Sequence, residues 1–435
     1  MSDESRAIWL RKTMAAFGLL LFAITWRLWT PQTEFPQIPF FRWLVNVPGA
    51  VDWIVASAMT VGLVAMLLGT QRWARGSLVL FLASTAVLVL LNQHRLQPWV
   101  YLLLVTGGLL VCLPNKTSLT WLRRIVISIY LYSAISKFDY QFVFTVGDQM
   151  LNVITSSVGF KTDGLPQWLH IAMVLSLPLG ELVIGGLLLF SQTSKLGGWL
   201  AIGLHIGLLL VLGPLGLNHQ PGVLIWNAWF IVQSWLLFMS AAPDAKPKEP
   251  RVDQPMNFRT EQASVDSRSP ELIWCGRLLA LFVILFPVTC AVSPWIELPI
   301  KADHWVAWEV YAPRSSRASV RVSDTAWAGT TTDAAGYDPD DTQSNDSAIP
   351  KAVTPNQWSL SRLGVPVYPQ DRFQAACWLA FLESDERTNG RPPAVNALGT
   401  AARLTGQRVQ TRIDGPVATQ KYRGQLWFNT RPRWK

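Results

Sequence analysis

GSLVLFLASTAVLVLL, residues 76–91, and PWVYLLLVTGGLLVCL, residues 98–113, flank the short polar connection NQHRLQ at 92–97. Neither run contains a charged side chain. Apolar residues fill both instead of recurring at a helical or alternating spacing, so neither has a polar face to turn toward water. At about 1.5 Å per residue, a helix of either length covers most of a hydrocarbon core about 30 Å thick. Their natural solvent is lipid.

Working outward, the same reading applies to seven more runs, which places candidate spans at 13–29, 52–69, 76–91, 98–113, 125–143, 167–190, 199–213, 222–240 and 272–293. The fold class expected is an all-α transmembrane helical bundle of about nine spans with a small extramembrane α+β C-terminal domain. Half the chain is hydrophobic, only 15% is charged and 22 residues are Trp, a balance outside the soluble range. The first run follows Arg11 and Lys12 but ends in Trp26, Arg27, Leu28 and Trp29 in place of a small-residue cleavage site, and so reads as an uncleaved span.

A net charge of +9 raises the question of nucleic acid. The basic residues form no patch or arm; they sit in short loops between apolar runs, so the sequence points to no nucleic-acid partner. With the amino terminus in the cytoplasm, the inner loops carry about 14 Lys and Arg, among them Arg6, Arg72, Lys116 and Lys195, and the outer loops about 4, namely Arg27, Arg42, Arg95 and Lys161. That asymmetry predicts a cytoplasmic amino terminus, an extracytoplasmic C-terminal domain and, given the absence of eukaryotic targeting signals, a bacterial inner membrane. The domains expected are an eight-span module over 1–240, a cytoplasmic linker rich in Pro, Lys, Asp and Ser over 241–271, a last span over 272–294, and the outer domain over 295–435. Within the outer domain, 318–322 and 408–413 read as strands, 370–383 as a helix, and 329–350, with five Asp and few large apolar residues, as a mobile loop.

Ionisable groups inside spans are costly and mark candidate function. Lys137 and Asp139 end the Tyr-rich segment YLYSAISKFDY at 130–140; Glu181 follows Pro178 in the sixth run and His205 lies in the seventh. Depth counting places Glu181 and His205 at one level of antiparallel neighbours, which suggests a direct contact. The plainer reading of such a pair is a hydrogen bond between helices. His94, Arg95, His170, Asn218, His219 and His304 fall on the outer side with Lys137 and Asp139, and together they could form an outward-facing polar site in which a partly desolvated Lys137 acts as base. Polar residues also belong at interfaces without any ligand, and Lys137 with Asp139 could be a snorkelling lysine beside its counter-ion.

The four cysteines form no CxxC, zinc or disulfide pattern, and phosphate loops, HExxH helices and Rossmann fingerprints are missing. Several of the tryptophans, including Trp26, Trp99, Trp121 and Trp199, lie near span ends, as an interfacial belt requires.

The segment ending Ser136-Lys137-Phe138-Asp139, followed by Pro178 and Glu181, resembles the membrane superfamily of the DoxX and MauE proteins. The Lys-Phe-Asp piece, with His205, Asn218-His219 and Trp226-Asn227, is also similar to the vitamin K-dependent gamma-carboxylase-like family, or horizontally transferred transmembrane domain. That resemblance implies Lys137 as catalytic base and Glu181 and His205 as core polar residues. The chain departs from both families: the cysteine pairs of a redox partner are missing, and a modest domain stands where a carboxylase has a large β-rich region.

The site expected is therefore Lys137, Asp139 and His219 for chemistry, with Glu181, His205, His94, Arg95 and Asn218 for binding and no metal. It would act by proton abstraction on, or binding of, a lipid-soluble or exported substrate. The sequence names no cofactor. The alternative is a non-catalytic accessory or scaffold protein that recruits an envelope protein through its outer domain, with the lipid bilayer as partner in either case.

Overall fold

The computed structural model describes residues 1–162, 164–240, 268–292, 303–310, 312–322, 351–384 and 394–433. The chain forms α1 (Asp3–Ile24), α2 (Trp26–Trp29), α3 (Ala50–Leu68), α4 (Ala74–Leu91), α5 (Pro98–Cys112), α6 (Asn115–Lys137), α7 (Tyr140–Phe144), α8 (Val146–Ser157), α9 (Gln167–Leu189), α10 (Ser194–Leu212), α11 (Pro221–Ser234) and α12 (Pro270–Val292). The C-terminal domain adds β1 (Arg317–Val322), β2 (Lys351–Val353), α13 (Pro355–Leu363), α14 (Asp371–Ser384), β3 (Val395–Leu398), β4 (Gln410–Ile413) and α15 (Gly415–Gly424).

Among the described residues, seven helices are long and apolar enough to cross a membrane: α1, α3, α4 with its preceding turn, α9, α10, α11 with the π-helical turn Trp235–Met239, and α12. The chain is a multi-spanning integral membrane protein. The count of nine is not reached, for two reasons. Helix α5 has only 15 residues. The run expected at 125–143 is broken: α6 begins earlier, at Asn115, carries Lys116, Arg123, Arg124 and Lys137, and stops at Phe138, where Asp139 caps the separate α7 by accepting from the Phe142 amide at 3.0 Å. The sequence reading also overlooked α8. Its buried Gly147, Met150, Leu151 and Thr155 recur at the spacing of one helix face.

Small residues set how closely the spans approach. A Cβ at Gly62 of α3 would lie 2.9 Å from the Phe81 backbone nitrogen of α4, and one at Gly185 of α9 would lie 2.7 Å from a Leu131 methyl of α6. In lipid, where apolar surface gains little by leaving its solvent, such contact is a main source of helix association.

The C-terminal domain is a four-stranded antiparallel sheet in the order β2-β1-β3-β4, registered by Val320 opposite Val353, Val320 opposite Val395, and Val395 opposite Ile413. Helix α14 covers it through Ala375, Trp378 and Leu379, packed against Ala318, Val320, Val395 and Ala397. The linker positions 241–267 and the loop expected over 329–350 lie outside the described residues.

The domain sits on one end of the bundle and is tied there by buried polar contacts. Arg433, near the carboxy terminus, hydrogen-bonds Asp52 of α3, which also pairs with Arg95 at 2.6 Å. Arg372 reaches Gln93 in the α4–α5 turn as well as Asp303. Arg403 donates to the Ile135 carbonyl at the end of α6 at 2.7 Å, and its own carbonyl accepts from the Tyr140 amide at 2.7 Å.

Candidate functional site

Helix α6 presents Tyr130, Ser133 and Lys137 on one face, because steps of three and four residues follow the helical repeat. Lys137 Nζ donates to Ser133 Oγ at 2.8 Å and to Glu181 at 2.6 Å from each carboxylate oxygen. Glu181 stands one turn from Gly185 on α9, and the close α6–α9 approach at Gly185 lets the carboxylate reach the lysine.

A second polar chain crosses from α6 to α10 and α11. Tyr130 Oη is 2.8 Å from His205 Nε2, and His205 Nδ1 is 2.9 Å from Asn227 Oδ1. Asn227 uses its amide nitrogen on the Val223 carbonyl at 2.8 Å, which leaves Oδ1 facing the histidine. The imidazole then carries its proton on Nδ1 and accepts the Tyr130 hydroxyl proton on Nε2. Its ring stacks on Phe230, with centroids 4.8 Å apart.

Both groups line one cavity of about 570 Å³ between α6, α8, α9, α10 and α11. The remaining wall is mostly apolar, with Met150, Ile154, Leu177, Leu204, Leu208 and Val211 among its members. This is the arrangement of a small-molecule site: a largely apolar hollow with a few convergent polar groups.

The structure sorts the expected residues differently from the sequence. Lys137, Glu181 and His205 share the cavity, but the contact inferred between Glu181 and His205 gives way to the pairs Lys137–Glu181 and Tyr130–His205. Asp139 does not serve Lys137; it caps α7, and Glu181 is the lysine's counter-ion. His94 and Arg95 stand elsewhere, under the C-terminal domain. His94 Nε2 faces the Pro366 carbonyl and the Ser359 hydroxyl, each at 3.1 Å. Burial holds its imidazole down at a pKa of about 4, opposed by the Pro366 bond and reinforced by Arg95.

Asn218 shapes the turn after α10. Its φ of 49° is left-handed, which asparagine tolerates well, and its amide donates to the Gly213 carbonyl at 3.0 Å. His219 lines a second cavity, His170 pairs with Asp148 at 2.8 Å, and His304 bonds Glu309. The histidines expected on the outer side thus do not form one site. Ser133, Asn227 and the role of Tyr130 went unassigned in the sequence. For Tyr130 and Ser133 the signal was their spacing of seven and four residues to Lys137, which is one helix face; for Asn227, adjacency to Trp226 carried none.

No curated protein and no solved structure matches the chain. The family described as methylamine utilisation protein MauE matches residues 115–220, the stretch from the start of α6 to the residue before α11, which holds Tyr130, Lys137, Glu181 and His205.

Proposed function

We propose that this protein binds a lipid-soluble small molecule in the bundle cavity, with Lys137–Glu181 and Tyr130–His205–Asn227 recognising its polar end. One observation carries the reading: an ion pair and a directed hydrogen-bond chain line the same largely apolar hollow of about 570 Å³. Ionisable groups in lipid are costly, and a cavity wall is where such groups serve a ligand.

The chemistry this arrangement favours is proton exchange at that polar end. A lysine takes a proton from a substrate only after releasing its own, and the Glu181 oxygens at 2.6 Å are placed to accept it. Lys137 would then act as base and Glu181 as relay, which fits the base role implied by the carboxylase-like resemblance. The charge asymmetry of the loops supports a cytoplasmic amino terminus and an outer-facing C-terminal domain.

The test is chemical. A Cβ at Gly207, on the cavity wall, meets no atom within 4 Å, so the backbone there has room for a side chain and Gly207→Leu adds bulk at the wall. Organic extracts of wild type and Gly207→Leu, purified from the same membranes, are compared by mass spectrometry. We expect a lipid-soluble compound enriched with wild type and depleted with the variant; identical extracts would refute the reading.

A second reading, an accessory protein that recruits an envelope partner, is favoured by Trp427. It is 99% exposed on the rim of an outer-domain groove shared with Trp43 and Phe428. Loss of a partner on Trp427→Ala, with the extract unchanged, would favour it over the first.

A further inference from the structure

A second cavity, of about 390 Å³, lies where the outer domain meets the starts of α5 and α11. Trp226 and Val310 line both this cavity and the bundle cavity, so the two hollows share a wall. Trp226 neighbours Asn227 in the chain, and Asn227 holds His205, so the shared wall stands beside the polar end of the bundle cavity.

The second cavity has a different chemistry. Carboxamides recur on it, from Gln97, Gln220, Asn356 and Gln374, together with Ser315. Gln97 Nε2, Asn356 Oδ1 and both ends of Gln374 already bond protein groups, so Gln220, the Gln97 carbonyl oxygen and the Asn356 amide nitrogen are the groups left to a ligand. Its charged members, Glu309 and Arg317, are of opposite sign, and Glu309 is already bonded to His304. Such a wall exerts no strong net field on an ion. Side-chain amides both donate and accept, as hydroxyl groups do.

Resting on the reading that the bundle cavity binds a lipid-soluble molecule, we infer that the second cavity is the other half of the same site. The ligand is an elongated amphiphile. Its apolar chain fills the bundle cavity, its reactive polar junction meets Lys137 and His205, and a neutral, hydroxyl-bearing head extends past Trp226 and Val310 into the second cavity. The outer domain thereby supplies part of the binding site, and the buried contacts of Arg433, Arg372 and Arg403 keep that part in place.

Two glycines separate the halves experimentally. Gly207 lines only the bundle cavity and Gly222 only the second; a Cβ at Gly222 finds its nearest atom, an Ile24 methyl, at an ordinary 3.8 Å. The full chain in phosphatidylcholine nanodiscs is titrated with two photoreactive probes: a monoacylglycerol carrying a diazirine at its chain end, and the matching fatty alcohol. Gly222→Leu should weaken labelling by the monoacylglycerol about tenfold, the worth of one or two hydrogen bonds, and leave the fatty alcohol unchanged. Gly207→Leu should weaken both, and Gly222→Ala neither. If Gly222→Leu affects both probes equally or neither, while Gly207→Leu weakens both, the second cavity is not part of the site and the bundle-cavity reading stands. If Gly207→Leu affects neither, both readings fall.

Discussion

Lys137 Nζ lies 2.6 Å from each carboxylate oxygen of Glu181, a residue 44 positions away on a different helix. The pair is nearly buried, with the lysine side chain 5% and the glutamate 13% exposed. Removing one partner strands the other charge in a low-dielectric setting, whereas removing both does not. Lys137→Met should therefore lower stability by about 2–3 kcal/mol, less than for a fully enclosed pair because Glu181 borders the cavity. Lys137→Met with Glu181→Gln should recover most of that loss. Thermal unfolding in detergent measures both; a double variant less stable than the single would contradict the pairing.

The approach of α9 to α6 at Gly185 is what brings this pair together. A Cβ there would press on Leu131 at 2.7 Å and on Tyr130 Cβ at 3.4 Å. Gly185→Val should force the helices apart, cost about 1–3 kcal/mol by overpacking, and weaken ligand retention along with stability. Gly186, one residue on, has nothing within 4 Å of its Cβ, so Gly186→Val is the matched control expected to spare both.

Asp52 is fully buried and receives Arg95 at 2.6 Å on one oxygen and Arg433 on the other. Asp52→Asn leaves two guanidinium groups without a counter-charge and should cost about 3 kcal/mol or more. The effect should appear first as release of the carboxy-terminal segment, since Arg433 also holds the Val47 and Pro48 carbonyls from that end. Hydrogen exchange over 425–433 should accelerate in the variant ahead of global unfolding; unchanged exchange there would count against the latch.

His94 makes docking of the C-terminal domain pH-dependent. Burial holds its pKa at about 4, below the ordinary 6.5. The unfolded or undocked chain takes up a proton between those values that the docked state refuses, so the stability linked to this site is complete above pH 6.5 and falls as pH drops toward 4. Protection factors over 355–384, each referred to the intrinsic exchange rate at its own pH, should fall from pH 7.5 to pH 5 in wild type. His94→Gln, which has no proton to gain, should flatten that dependence; an equally steep profile in the variant would assign it to another group.

The membrane class was readable in the sequence because an uncharged run such as 76–91 leaves no polar face for water. The strand expected at 318–322 was readable too, from alternation, and the one expected at 408–413 forms over Gln410–Ile413 only. What escaped depended on partners distant in the chain. The end of α6 is set at Asp139 by a cap and at Ile135 by Arg403, and no local pattern announces an arginine 268 residues away. Depth counting placed Glu181 and His205 at a common level, and they do line a common cavity. It could not give their rotation about the helix axes, and so missed that each takes its partner from α6. The histidines that the loop count assigned to one side do not share a site, because the C-terminal domain, invisible to a loop count, covers His94 and leaves His219 beside another cavity.

Orientation rests on the loop charges alone and is open to direct labelling. In a cysteine-free background, Trp427→Cys should react with a membrane-impermeant thiol reagent added outside intact cells, and Lys12→Cys only after the membrane is opened. The reverse pattern would invert the topology without altering the fold.

The most direct test of the proposed function is an experimental density map of the protein prepared in its native lipid. We expect elongated non-protein density in the cavity between α6, α9 and α10, ending within hydrogen-bond reach of Lys137 Nζ or Tyr130 Oη. A well-resolved cavity that holds only water, or that side chains have closed, would contradict the proposal that this bundle exists to hold a lipid-soluble ligand.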